Sequence, residues 1–223
     1  RYAGLATYTY GYYAYLSGKN LQELNQEITS YNQVIHQYKQ ENSYNLNLAL
    51  QQIFINLLNQ SEDSCNFDGQ VYNYSQMLPL HKQNNDVTAI FYIYFNKQII
   101  YYLFEYFDKA LENAKQTEKY LFGVTGNLAV PVFFFYDSLI QLAAYIKSTD
   151  KTLTEIINTV ETNQEKMQEW ANNAPMNFQH KVDLVAAEKY RVLGQKIEAI
   201  EYYDKAISGA KENEYIQEEG LAN

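Results

Sequence analysis

The sequence predicts an all-α protein, an α-solenoid of antiparallel helix pairs, and three observations carry that expectation. Among 223 residues, Gly and Pro number only 9 and 3, too few for a sandwich or barrel that turns every ~8–12 residues. Hydrophobic residues, 47% of the chain, recur at spacings of three and four, the period of a helix face. The breaks between these stretches are short, so consecutive helices are expected to pack antiparallel. A chain of this length can bury roughly 70–75% of its unfolded surface, so its core needs no staple.

Leu5 to Leu16 reads as a first helix, ended by Ser17-Gly18-Lys19-Asn20. Leu21, Leu24, Ile28, Tyr31, Ile35 and Tyr38 then recur at spacings of three and four, which reads as its antiparallel partner and completes a pair over about 5–40. A second pair over 42–81 has a stripe at Leu46, Ala49, Leu50, Ile53, Leu57 and Leu58, a polar loop from Ser61 to Gln70, and a weaker helix from Val71 to His81 interrupted at Pro79. The third pair, 86–120, is expected as Asp86–Asn96 and Lys97–Tyr120, with Phe104, Phe107, Leu111 and Ala114 buried.

Asn127 to Ile146 is apolar over the length of a membrane span, with Asp137 its only charge. That charge near mid-bilayer costs about 3 kcal/mol, so a helix buried inside the array is expected and membrane insertion is not. Its partner carries Leu153, Ile156, Ile157, Val160, Met167 and Trp170 on one face, and Ala174-Pro175 closes this fourth pair, 127–173. The fifth pair covers 178–210, and a sixth is expected to start over 213–223.

Residues 107–115, FDKALENAK, and 203–211, YDKAISGAK, share Asp, Lys, both Ala and the last Lys. Their offset suggests repeats of about 48 residues, within a range of about 34–50 for the whole array. In the fifth pair Ala187, Tyr190, Gly194, Ala199, Tyr203 and Ala206 stand at the small and aromatic positions of the tetratricopeptide repeat, which this pair resembles. Small residues let two helices approach closely, and the aromatics fill the space beside them. Lys211-Glu212-Asn213 stands where that repeat has Pro, and the other pairs are longer, so the array is read as irregular.

A wider resemblance runs from Trp170 to Asn223. Trp170, Ala174-Pro175, Asn177, His180-Lys181, Leu184, Glu188, Arg191-Val192-Leu193-Gly194 and Asn213-Glu214-Tyr215 are similar to the helical region of large cyanobacterial multi-sensor hybrid kinases. Those chains join a Ser/Thr kinase domain, a STAND-type ATPase, a helical repeat region, a GAF sensor and a histidine kinase. The resemblance implies a non-catalytic spacer that couples kinase, ATPase and sensor domains or contacts another protein. The alternative is a free-standing adaptor that binds a peptide in its groove. The tetratricopeptide geometry implies that Lys181, Leu184, Glu188 and Arg191 face that groove.

No P-loop, kinase motif or phospho-accepting His box is present, and no cofactor or metal is expected. His36, His81 and His180 have no ligand spacing and are expected to pack or face solvent. Ser64–Asp68 followed by Gly69 has the flavour of a calcium loop, but Ser75 replaces the bidentate Glu. Ser17–Asn20 and Gly123–Gly126 are read as turns between helices, not phosphate loops. Glu161 with Glu165, and Glu218 with Glu219, are expected on solvated helix faces. A net charge of -9 without a basic stripe argues against nucleic acid. The lone Cys65 suits a reducing, cytoplasmic setting. The chain opens at Arg1-Tyr2 without Met and stops in a helical run, so it is expected to be a segment of a longer protein.

Among the 23 tyrosines, Tyr8, Tyr12 and Tyr15 share a helix face from which Tyr10 and Tyr13 point away. An apolar ring with a polar tip serves helix boundaries and recognition surfaces alike.

Overall fold

The computed structural model describes residues 2–58, 63–147 and 152–223. It contains α1 (Tyr2–Leu16), α2 (Leu21–Gln37), α3 (Glu41–Leu57), α4 (Tyr74–Gln83), α5 (Val87–Leu103), α6 (Phe107–Glu118), α7 (Ala129–Lys147), α8 (Leu153–Asn173), α9 (Pro175–Val192), α10 (Lys196–Glu212) and α11 (Ile216–Ala222). Among the described residues there is no strand, only an isolated bridge between Asp68 and Asn73. The all-α expectation holds. The expected loop start at Ser61 and helix start near Asp150 lie outside the described residues.

Local chemistry sets the helix starts. Asn20 Oδ1 accepts from the backbone N–H groups of Gln22 and Glu23 at 3.0 and 3.2 Å. Asn73 caps α4 through Gln76 and Asp86 caps α5 through Ala89. Thr152 and Glu155 form a reciprocal capping box at α8, satisfying donors the helix leaves orphaned. Pro175 stands at the first position of α9, where its missing N–H costs nothing.

Helix ends follow one recurring geometry. Gly18, Lys39, Asn85, Glu105, Gly194 and Glu214 all have φ between 49° and 81°. The next residue in each case, Lys19, Gln40, Asp86, Tyr106, Gln195 or Tyr215, donates its N–H to the carbonyl five positions earlier, at 2.8 to 3.4 Å. This is the Schellman arrangement, and only two of these six left-handed positions hold glycine.

In the packing, α1 meets α3, α3 meets α5, α5 meets α7, α7 meets α9 and α9 meets α11. The odd-numbered helices thus follow one another as one layer, and the even-numbered helices pack against odd neighbours. A continuous core runs from Tyr8 and Tyr12 in α1 to Ala222 in α11. A smaller cluster of Ile53, Phe67, Tyr74, Ile93 and Ile100 lies under the segment before α4. The helix α7 is long and apolar enough to cross a membrane, but 72% of its apolar window is buried within the protein. Its Asp137 accepts from Asn163 Nδ2 of α8 at 2.8 Å and from Gln141 Nε2 at 3.2 Å. Burial with those partners is how this charge is accommodated.

Three details differ from the sequence reading. The break expected at Asn96/Lys97 falls instead at Phe104–Tyr106, because Glu105 supplies the left-handed turn; Asn96 is buried mid-helix, and Phe104 lies 38% exposed at the turn rather than in the core. The helix α4 runs through Pro79, where proline removes one interior hydrogen bond; its Asn73 cap and the buried Tyr74 and His81 hold it. Finally, Phe107 opens α6 while Tyr203 sits in the middle of α10, so the 107–115 and 203–211 match does not align equivalent helix positions.

Candidate functional site

The last helix touches the end of the first. Gln217 of α11 donates Nε2 to the Leu16 carbonyl at the end of α1, 2.6 Å away. Beside this seam lies a partly enclosed cavity of about 270 Å³. Its walls are mostly apolar, with Leu57 from α3, Ile99 and Leu103 from α5, Val132 from α7 and Leu221 from α11. Tyr15, Lys19, Tyr136, Gln217 and Glu218 also line it.

Glu218 is 3% exposed, and its Oε1 pairs with Lys181 Nζ at 2.9 Å. The expectation of a solvated Glu218 is thereby overturned, because α9 covers its side chain. Lys181 also donates to His180 Nε2 at 2.9 Å and to the Asn177 carbonyl at 3.3 Å, and lies 4.0 Å from the Tyr215 ring centre. Tyr215 in turn stacks on His180 and donates its hydroxyl to Asn177 Oδ1 at 3.0 Å. Since Nε2 accepts from the ammonium, the neutral ring carries its proton on Nδ1. Among the described residues neither His180 Nδ1 nor Glu218 Oε2 has a hydrogen-bond partner.

The electrostatics follow from burial. Desolvation, with Lys181 adding to it, pushes His180 down to about 3. Desolvation also lowers the Lys181 ammonium, which Glu218 partly offsets. Burial raises the phenols of Tyr15, Tyr136 and Tyr215, and the nearby Glu218 carboxylate raises each further. The pair is therefore a neutral unit with a carboxylate edge in a weakly polar setting.

Of the positions expected at a groove, Lys181 and Leu184 are each only 2% exposed. Lys181 is enclosed by α11 and Leu184 belongs to the continuous core, so neither presents a free groove surface. Glu188 and Arg191 are more accessible but engage each other, Arg191 Nε donating to Oε1 at 3.1 Å, and Glu188 also accepts from the Tyr203 hydroxyl. The packing residues Ala187, Ala199 and Ala206 are buried, Tyr190 and Tyr203 are half-buried, and Gly194 takes the left-handed turn.

The remaining candidates have structural partners. His81 contacts the Tyr72 hydroxyl at 2.8 Å and Asp86 at 3.0 Å, while the exposed His36 lies against Tyr44. Asp68 accepts from the Ser75 backbone N–H and hydroxyl, tying the loop to α4. Lys19 pairs with Glu27 at 2.7 Å, and Glu161 meets Lys189 at 3.5 Å. No group of three or more metal-binding side chains converges among the described residues. Tyr8 and Tyr12 are buried while Tyr10 and Tyr13 are exposed, as the helix spacing predicts. Compared with models of protein families, with curated proteins and with solved structures, the chain finds no match.

Proposed function

We propose that the chain is a non-catalytic α-solenoid of tetratricopeptide-like pairs that couples domains of a cytoplasmic signal-transduction kinase. The carrying observation is the succession of α1, α3, α5, α7, α9 and α11 as one packed layer. In such an array, a slight slide of one helix pair is passed to the next, so contact at one part reorients what is attached elsewhere. Leu193, Ile197 and Ile200 add an exposed apolar edge at the α9–α10 turn, suited to a protein partner. The resemblance of residues 170–223 to hybrid-kinase helical regions supports the kinase setting.

Cross-linking of the native full-length protein through surface lysines such as Lys196, Lys205 and Lys211 tests this reading. Cross-links to kinase, ATPase or sensor domains of the same chain are expected. Cross-links solely to a separate protein favour the free-standing adaptor. ATP hydrolysis or phosphotransfer by residues 1–223 sinks the non-catalytic assignment.

A further inference from the structure

A second groove lies between the ends of α1 and α8 and the starts of α7 and α9, with a volume of about 490 Å³, within the ~300–1,000 Å³ of ligand sites. Aromatic rings form much of it, with Tyr13, Trp170, Phe178 and Tyr215 beside Pro131. Tyr13 is 40% exposed, and Trp170 and Phe178 are half-buried. In a chain of net charge -9, no residue lining this groove carries a charged side chain. Lys181 approaches the Tyr215 ring at 4.0 Å, but it is 2% exposed and paired with Glu218, so it presents no free charge. An occupant is therefore uncharged where it lies in the groove, since a charge there would lose water without gaining a partner.

Hydrogen bonding narrows the class further. The two side-chain amide oxygens of the groove are taken: Asn127 Oδ1 accepts from the Ala129 N–H and Asn177 Oδ1 from the Tyr215 hydroxyl, each at 3.0 Å. Among the described residues the Trp170 indole N–H and Asn177 Nδ2 make no hydrogen bond, and neither nitrogen is buried. The side chains of the groove thus offer rings and donors, with only the Tyr13 and Ser17 hydroxyls left to accept. A sugar would bring many hydroxyl donors with few acceptors to meet them. Proline brings a carbonyl acceptor, no N–H and an apolar ring, and a run of prolines holds the polyproline II form that aromatic-lined grooves recognise. The chain's own three prolines lie in α4, α7 and α9, so residues 1–223 do not supply such a run. We propose that this groove binds a proline-rich segment of a partner protein in the polyproline II form, with its rings against the prolines and Trp170 and Asn177 donating to the segment's carbonyls. This proposal stands whether or not the chain belongs to a kinase.

Trp170 is the only tryptophan, so its fluorescence reports the groove directly. Titration of the intact chain with decaproline is expected to shift Trp170 emission saturably, while a Gly-Ser peptide of equal length, flexible and rich in N–H groups, leaves it unchanged. Tyr13→Ala removes an exposed ring, and Asn177→Asp replaces the amide donor while keeping an oxygen for Tyr215. Each is expected to weaken decaproline binding by about 10-fold while keeping the far-UV circular dichroism of the parent. No saturable response to decaproline, an equal response to the Gly-Ser peptide, or parental affinity in either folded variant overturns the proposal. So does a saturable response to cellohexaose in place of decaproline, which would make the groove a sugar site.

Discussion

Lys181 and Glu218 form an ion pair of 2.9 Å with both side chains at 4% exposure or less, and this pair fastens α11 to α9. A buried pair gains little net stability over well-packed apolar residues, yet losing one partner strands the other charge. Lys181→Met is therefore expected to destabilise the protein by about 3–5 kcal/mol. The double variant Lys181→Met/Glu218→Met should return close to the parent. Urea unfolding of the three proteins checks this; equal loss in single and double variants would show that the packing of Lys181, not the charge, matters.

His180 adds a pH dependence with a definite sign. Its folded value of about 3 lies below the ordinary value of about 6.5, so between these limits the unfolded chain takes up a proton that the folded chain refuses. Stability should therefore fall as pH drops below about 6.5, with a limiting slope of about 1.4 kcal/mol per pH unit. Lys181 and Tyr215 contact the ring, and Gly209 lies against the Cβ of His180. Unfolding midpoints from pH 4 to 8 for the parent and His180→Asn should differ by a constant above pH 7 and converge below it. A constant difference throughout would contradict the shift.

The left-handed turns give a third prediction. A side chain at such a position costs roughly 1–2 kcal/mol in the folded backbone, partly offset by the greater freedom glycine has when unfolded. Lys39→Gly and Glu214→Gly should each raise stability, by roughly 0.5–1 kcal/mol. Gly194→Ala should lower it by about 1 kcal/mol, and nothing lies within 4 Å of the added Cβ to complicate the reading. Thermal melts will show whether the signs are as stated.

These residues also explain which parts of the fold were legible. Asn20, Gly18, Pro175 and Gly194 announce helix boundaries because their local chemistry is tied to the boundary itself. Glu105 carries no such mark: it is a good helix former that takes the left-handed turn between α5 and α6, so periodicity alone predicts the break several residues early. Lys181 and Glu218 were misplaced for a related reason. Their periodicity reports which face of a helix they occupy, while their burial depends on another helix crossing that face. The tyrosine faces of α1 were readable because one helix alone determines them.

The bond from Gln217 to Leu16 spans 201 positions of sequence. In an open row of helices, each unit assembles on the previous one and the rate is governed by neighbours. Joining the first helix to the last introduces a high-contact-order step, for which the intervening helices must already be in place. The entropy of such a closure grows only slowly with loop length, about 0.6 kcal/mol per doubling. Refolding is thus expected to run quickly through the helix pairs and slow at the contact between α11 and the end of α1, which would also be the first place for the assembled chain to open.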